Sequence, residues 1–214
     1  MPTPTRVLLI SQPYAPPLPP IFGTTAETHE LERMMAKEGL KPFLLEDDAA
    51  TMTGVTEELK THDWVHFACH AVQHKDPLKS GILLCDGRLE LLEMMKLQIA
   101  NADHAFLSAC QTGTGDAKLS DEVAHIAAGM LAVGYRGVIG TIWSISDGHA
   151  PEIAKGFYQH IFNSVAKEEE GGQKRLNSSY AACALDSSIQ KTRERLGDSE
   201  IALLTWVPYV HFGV

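Results

Sequence analysis

Short apolar runs alternate along the chain with longer segments whose apolar residues recur every three or four positions. This alternation is typical of a mostly parallel sheet that is covered by helices on both faces. The apolar runs predict strands over 7–11, 42–46, 64–69, 105–109 and 138–143. The periodic segments predict helices over 26–38, 89–98, 121–133, 150–165 and 179–195. We therefore expect an α/β fold in three layers, with a mostly parallel central sheet flanked by helices.

Three segments between these elements predict loops. Residues 12–23 contain five prolines, which excludes any regular element other than polyproline II. Turn residues at 76–77 and 80–81 indicate a hairpin within 74–87, and the acidic, glycine-containing stretch 167–175 predicts a solvated connection between two helices. At 214 residues, the chain has a suitable length for one domain over 1–214, which we expect to belong to a larger protein.

A histidine and a cysteine follow two of the predicted strands. His70 comes directly after the strand over 64–69, and Cys110 directly after the strand over 105–109. Ligands of parallel sheets bind beyond the carboxyl ends of the strands, so both residues can reach one crevice if these strands are neighbours. A free thiol has a pKa of about 8.5, and an imidazole that takes its proton makes it a nucleophile. Taken alone, each residue also fits a role without catalysis, Cys110 as a buried core thiol and His70 as a turn histidine.

Four sequence blocks in the same order resemble the CHAT domain, a caspase-like cysteine protease family related to separase. The matching blocks are His66 to Ala71, Leu107 to Gly113, Val138 to Asp147 and Trp206 to Gly213. The resemblance implies a caspase-like fold and a cysteine endopeptidase in which His70 is the base and Cys110 the nucleophile. This cysteine protease chemistry requires no cofactor. It also implies an oxyanion hole formed by the backbone N–H groups of Cys110 and Ala71, where Ala71 replaces the glycine usual in the family.

The same resemblance suggests two substrate-binding residues. Asp147 matches the acid that lines the pocket for a basic P1 side chain in separase-like relatives, whereas its alternative role is the N-cap of the following helix. Ser108 stands two residues before Cys110, where caspases have glutamine, and its hydroxyl cannot supply a charge to that pocket. Any negative charge at the P1 pocket would therefore come from Asp147.

A zinc site is an alternative for the first of the matching blocks, because His66, Cys69, His70 and His74 are all plausible ligand types. Strand alternation argues against it, since His66 and His70 share one face of the strand while Cys69 points to the other. We expect no metal site, and we expect Cys69 to be a core residue.

Composition narrows the functional class. The net charge of −9 and the absence of a basic run argue against nucleic-acid binding. No apolar window approaches the roughly 20 residues that span a bilayer, and four widely spaced cysteines are typical of free thiols in a reducing compartment. We therefore expect a cytoplasmic protein.

The resemblance also implies partners. Related modules are controlled by attached repeat or sensor domains and act in cell-death or defence pathways on protein substrates that include gasdermin-like pore-forming proteins. Two rival functions remain open from the sequence. One is a catalytically silent interaction or scaffold module with the same fold, and the other is an acyl hydrolase for small molecules, which would need a deep apolar pocket.

Overall fold

The computed structural model describes residues 4–72, 74–111, 123–142, 148–166 and 175–214, with the backbone alone at 109–111 and 123–125. The strands are β1 Val7–Gln12, β2 Phe43–Glu46, β3 Trp64–Val72, β4 Gly81–Leu84, β5 Gly87–Glu90, β6 His104–Gln111, β7 Gly137–Thr141 and β8 Tyr209–Gly213. The helices are α1 Gly23–Lys37, α2 Met52–Leu59, α3 Leu91–Met95, α4 Val123–Val133, α5 Ala150–Val165, α6 Ala181–Leu196 and α7 Glu200–Trp206.

These strands form one sheet in the order β2-β1-β3-β6-β7-β8. The first five strands of that order are parallel, and β8 runs antiparallel to β7. The hairpin β4–β5 branches from the end of β3, where Ala71 pairs with Ile82 and Val72 with Gly81. Because β1, β3 and β6 are parallel neighbours, their carboxyl ends lie along one edge of the sheet, which we call the carboxyl edge.

Helices cover both faces of this sheet and create two separate cores. Residues of α2, α3 and α4 pack on one face around Val65, Phe67 and Leu107. Residues of α1, α5 and α6 pack on the other face around Trp64 and Phe106. We call these the α4 face and the α1 face. The described elements thus form an α/β fold in three layers, as the sequence pattern predicts.

The first helix shows how the sequence builds the α1 face. The buried side chains of α1 are Thr24, Glu27, Thr28, Leu31, Met34 and Met35. Their spacing of three and four residues places them on one side of the helix, which therefore lies along the sheet. The helix starts directly after the proline-rich loop and ends before Gly39, whose φ of 81° suits the chain reversal that follows.

Three predicted elements have different bounds in the structure. The helix predicted over 89–98 is confined to Leu91–Met95, because Leu89 and Glu90 pair with β4 as part of β5. Strand β3 extends to Val72, since β4 pairs with its end, and β6 extends to Gln111, which pairs with Ala71 of β3. His70 and Cys110 consequently lie within the last residues of their strands and not after them. No helix in the described ranges is long and apolar enough to cross a membrane.

Candidate active site

The register between β3 and β6 brings the two predicted catalytic residues together. His70 is paired with Cys110 across the two strands, and Ala71 with Gln111. Parallel strands lie about 4.8 Å apart, so the backbones of His70 and Cys110 are immediate neighbours at the carboxyl edge. The sequence separates these residues widely, and the fold places them side by side.

A backbone carbonyl from the proline-rich loop determines the orientation of His70. The His70 imidazole is buried, and its Nε2 atom lies 2.9 Å from the carbonyl oxygen of Pro19. A carbonyl only accepts, so Nε2 carries the proton and donates to Pro19. In a neutral imidazole the other nitrogen then holds the lone pair, which makes Nδ1 the basic atom of His70.

The loop that carries Pro19 is held by its own hydrogen bonds. The Gln12 side chain donates through Nε2 to the Tyr14 carbonyl at 2.7 Å. The backbone N–H of Ile21 donates to Pro13 at 3.0 Å, and the Ile21 side chain is buried in the core of the α1 face. The loop is therefore anchored at both ends, and its prolines restrict the backbone further. This anchoring keeps the Pro19 carbonyl in place beside His70.

Two aromatic side chains project from the same loop. Tyr14 and Phe22 are more than half exposed and meet edge to face, with ring centroids 6.2 Å apart. Exposed aromatic rings held in a fixed geometry are typical of surfaces that contact a ligand. They lie on the loop that orients His70, so they belong to the surroundings of the candidate site.

A buried polar network lies under the catalytic pair on the α1 face. Glu27 of α1, 2% exposed, accepts at Oε1 from His66 Nε2 at 2.8 Å and at Oε2 from the Ser108 hydroxyl at 3.0 Å. Tyr158 of α5 places its hydroxyl 3.5 Å from His66 Nδ1. We call these four residues the Glu27 network. Its members come from α1, β3, β6 and α5, so the network connects both catalytic strands to two helices.

The network is consistent with a single arrangement of protons. Burial in the first place, and the charge of Glu27 in the second, raise the pKa of Tyr158, so that its phenol stays protonated. Its O–H can then donate to Nδ1 of His66, and Nε2–H of His66 donates to Glu27. Both oxygens of the Glu27 carboxylate accept a hydrogen bond, as burial of a charged group requires.

The other predicted site residues have the following positions. Ala71 is buried within β3 and is paired on both sides, with Gln111 and with Ile82. Ser108 is buried, and its hydroxyl is bonded to Glu27. Asp147 lies outside the described residues. The first helical residue of α5 follows His149, which occupies the N-cap position without a side-chain cap hydrogen bond.

The alternation of β3 separates the residues of the zinc alternative. Cys69 is packed into the apolar core of the α4 face, whereas His66 contacts Glu27 on the α1 face. His74 accepts a hydrogen bond at Nδ1 from the backbone of Asp76. Across the described ranges, no group of three or more His, Cys, Asp or Glu side chains is arranged to hold a metal ion.

Sequence reasoning did not identify Pro19 or Glu27 as parts of the site. A backbone carbonyl such as that of Pro19 leaves no trace in a residue pattern. Glu27 does leave one, because it occupies a position on the buried stripe of α1 where an apolar residue is expected. A carboxylate at such a position indicates a buried polar partner.

Comparison with known proteins gives a family and a fold for this chain. The chain matches the CHAT domain family over residues 2–212. No curated protein gives a significant match. Among solved structures, the chain resembles gingipain R, an Arg-specific cysteine proteinase, with a TM-score of 0.62 and 10% identity over 97% of this chain and 46% of that chain. The complex of the Porphyromonas gingivalis RgpB pro- and mature domains gives 0.59 at 9% identity, covering 98% of this chain and 47% of that chain.

The separase–securin complex of Saccharomyces cerevisiae is a further structural neighbour. Its TM-score is 0.57 at 14% identity, over 99% of this chain and 12% of that chain. The chain thus spans less than half the length of these neighbours. At these identities the likeness shows the fold alone, which is the caspase-like α/β fold.

Proposed function

The chain belongs to the CHAT domain family, and on this premise we propose that it is a cysteine endopeptidase that cleaves protein substrates with Cys110 and His70. The observation that carries the proposal is the register pairing of His70 with Cys110 at the carboxyl edge of the sheet. A second support is the Pro19 carbonyl, which leaves Nδ1 of His70 as the basic nitrogen. Together these features supply a nucleophile, a base and a group that orients the base.

In the proposed reaction, Nδ1 of His70 takes the thiol proton as the Cys110 sulfur attacks the peptide carbonyl carbon. The C–N bond then breaks, and His70 returns the proton to the leaving amine, which leaves a thioester on Cys110. A water molecule then attacks the thioester while His70 takes a proton from that water. The carboxylic acid product leaves, and His70 returns the proton to the Cys110 sulfur, which restores the thiol. His70 thus acts first as a base and then as an acid, and the cycle uses no cofactor.

The oxyanion of each tetrahedral intermediate needs hydrogen-bond donors. We assign this role to the backbone N–H groups of Cys110 and Ala71, following the family resemblance. Ser108 contributes to the shape of the substrate site and not to its charge, because its hydroxyl already donates to Glu27.

For the substrate we propose a basic P1 residue that pairs with Asp147. Gingipain R, which is Arg-specific, has the same fold and provides a precedent for this preference. A charge-assisted hydrogen bond contributes about 1.5–3 kcal/mol, which corresponds to roughly ten-fold to somewhat over a hundred-fold in rate. Asp147→Asn should therefore reduce turnover of arginine P1 peptides by this factor and spare leucine P1 peptides. An unchanged ratio of the two rates would reject the pocket role of Asp147.

The setting of the reaction follows from the family resemblance. We propose an intracellular protease that acts in cell-death or defence signalling, with a gasdermin-like pore-forming protein as a candidate substrate and attached repeat or sensor domains as regulators. A reducing cytoplasm would keep the Cys110 thiol available for catalysis.

A peptide library tests the proposed activity and its specificity together. Purified wild type, Cys110→Ala and His70→Ala are incubated with the library, and cleaved bonds are identified by mass spectrometry. We expect cleavage by wild type only. The double variant with both substitutions, Cys110→Ala and His70→Ala, is added to the comparison, and we expect it to lose no more activity than either single variant, since the residues act as a unit. Equal cleavage by wild type and Cys110→Ala would reject the assignment, and no cleavage by any of them would favour the silent scaffold.

A further inference from the structure

One carboxylate joins the two catalytic strands directly below the catalytic pair. Glu27 bonds Ser108, which lies two residues before Cys110 on β6, and His66, which lies four residues before His70 on β3. Two residues of a strand span about 6–7 Å, so the bond to Ser108 is close to the nucleophile position. On the α1 side of β3, Ala68 lies between His66 and His70 and pairs with Ser108. Its side chain is small and buried.

The same helix determines where the Pro19 carbonyl lies. Helix α1 begins at Gly23, immediately after the loop, and Glu27 lies in its second turn. Any movement of α1 along the sheet would move the end of the loop and with it the carbonyl that accepts from His70. Glu27 holds α1 to both strands at once, and it therefore fixes the loop, β3 and β6 relative to one another.

We propose that Glu27 is the positioning residue of the Cys110–His70 pair, an inference that rests on the function proposed above. Glu27 acts through His66, Ser108 and α1 and does not touch the substrate. Its effect on catalysis comes from geometry, because a displacement of about 1 Å between reacting groups can cost a hundred-fold in rate. The ladder between β3 and β6 keeps the two backbones in register, and the bonds of Glu27 add a fixed position of α1, and of the loop before it, relative to both strands.

The energetics of burial support a functional reason for this carboxylate. Replacing a buried polar network by apolar side chains of similar volume is often nearly neutral or stabilising, so stability alone does not require Glu27. On the opposite face of the same strands, the described side chains that form the core are apolar. The Glu27 network lies on the one face that also carries His70.

The test measures the reactivity of Cys110 and needs no knowledge of the substrate. Iodoacetamide labelling of Cys110 is followed by mass spectrometry as a function of pH in wild type, His70→Ala and Glu27→Leu. In wild type we expect the apparent pKa of the Cys110 thiol to lie below its free value of about 8.5, and in His70→Ala we expect it to rise. Glu27→Leu should shift the profile at least half of the way toward that of His70→Ala and slow labelling at pH 7 about tenfold.

Thr28→Val is the matched control. Thr28 is fully buried on α1 beside Glu27, but among the described residues its hydroxyl bonds to carbonyls of its own helix, at Thr24 and Thr25. We expect this variant to lose stability yet to label Cys110 within twofold of wild type. Glu27→Gln, which keeps the shape and one acceptor, should restore part of the lost reactivity.

The outcomes separate the inference from the proposed function. If Glu27→Leu follows the wild-type profile while His70→Ala is shifted, Glu27 has no positioning role. If wild type and His70→Ala coincide, the proposed catalytic pair itself is wrong. If circular dichroism shows that Glu27→Leu is unfolded, Ser108→Ala replaces it in the labelling experiment. This variant removes one hydrogen bond of the Glu27 network, and we expect it to shift the pH profile of labelling in the same direction by a smaller amount. A wild-type profile in Ser108→Ala would overturn the inference.

Discussion

The two faces of β3 differ in chemistry although they belong to the same nine residues. Val65, Phe67, Cys69 and Ala71 enter the apolar core of the α4 face. His66 and His70, on the other side, bond to Glu27 and to the carbonyl of Pro19. Both sets are buried, so the difference does not arise from exposure to solvent.

This difference shows how one strand serves two purposes. The alternation of side chains lets the α4 face stabilise the sheet while the α1 face holds polar groups in fixed positions. On the α1 face, each polar group of the Glu27 network has a partner, and the partners come from different elements. Substitutions on the α4 face should therefore lower mainly stability, and substitutions on the α1 face should also lower activity. The following predictions are ordered by the size of the expected effect.

The largest effect separates activity from stability between neighbouring faces. His70→Ala should reduce peptide hydrolysis by about 10³-fold or more, because it removes the base. Its unfolding free energy should fall by only about 2 kcal/mol, the cost of the cavity left by the buried imidazole beside the Pro19 carbonyl. Phe67→Ala should cost about 3–5 kcal/mol of unfolding free energy, since it empties a fully buried site. Activity assays and chemical denaturation of both variants check this, and a comparable loss of activity in folded Phe67→Ala would contradict it.

The second prediction concerns the buried pair of Glu27 and His66. Glu27→Leu and His66→Phe should each cost about 3–5 kcal/mol, because each leaves a buried polar partner alone. The double variant should recover most of this loss and retain about 1–3 kcal/mol, since the hydroxyls of Ser108 and Tyr158 lose their partners in the network. A double-mutant cycle by urea denaturation measures the coupling, and additive losses would show that the two side chains do not interact.

A third prediction uses a histidine on the same face that lacks such a partner. His104 is buried against Trp64 and Phe157, with His211 stacked beyond it, and neither ring nitrogen has a hydrogen-bond partner among the residues that the structure describes. Burial, followed by the charges of His211 and His66, lowers the pKa of His104 from 6.5 to about 3. The folded protein thus keeps His104 neutral, whereas the unfolded chain protonates it below pH 6.5.

Stability should therefore fall as the pH drops from about 6.5 toward 3, by about 2 kcal/mol at pH 5 from this residue. His211, whose pKa is also lowered by burial, adds a loss of the same sign. In His104→Phe, the difference in unfolding free energy between pH 7 and pH 5 should be smaller by the contribution of His104, as measured by denaturation at both pH values. An equally steep dependence in this variant would show that other groups carry it.

The smallest effect is expected at Cys69, next to His70 but on the α4 face. Cys69 is fully buried among apolar side chains. Cys69→Ala should cost about 1 kcal/mol and leave hydrolysis unchanged. Thermal unfolding and an activity assay check this, and a large loss of hydrolysis would show that the two faces are not independent.

Much of the fold could be predicted because its signals are local. Helix α5 begins and ends at the predicted residues. A hairpin is present where one was predicted, but it turns at 85–86 and its second strand extends to Glu90, beyond the predicted end at 87. The elements that were missed are α2, α7 and β8, each of eight residues or fewer. A short segment offers too few turns or alternations to reveal its period, and β8 is defined mainly by its pairing with β7.

The candidate site could be predicted only in part. His70 and Cys110 are marked by their positions near strand ends and by the family blocks. Their proximity depended on the condition that their strands are neighbours, which the sheet order meets, whereas the register between the strands was not predicted. The contacts of Pro19 and Glu27 depend on how the loop and α1 pack across the sheet. Those contacts join residues that are 51 and 81 positions apart, and no local pattern encodes them.

A peptidyl electrophile with arginine at P1 gives the most direct test of the central claim, that Cys110 and His70 form a working catalytic pair. The reagent is added to wild type and to His70→Ala, and mass spectrometry locates the adduct among the four cysteines. The account predicts an adduct on Cys110 in wild type, in preference to the exposed Cys85 and Cys183, and a strongly reduced rate in His70→Ala. Labelling of Cys110 no faster than Cys85 and Cys183, or at the same rate in both proteins, would contradict it.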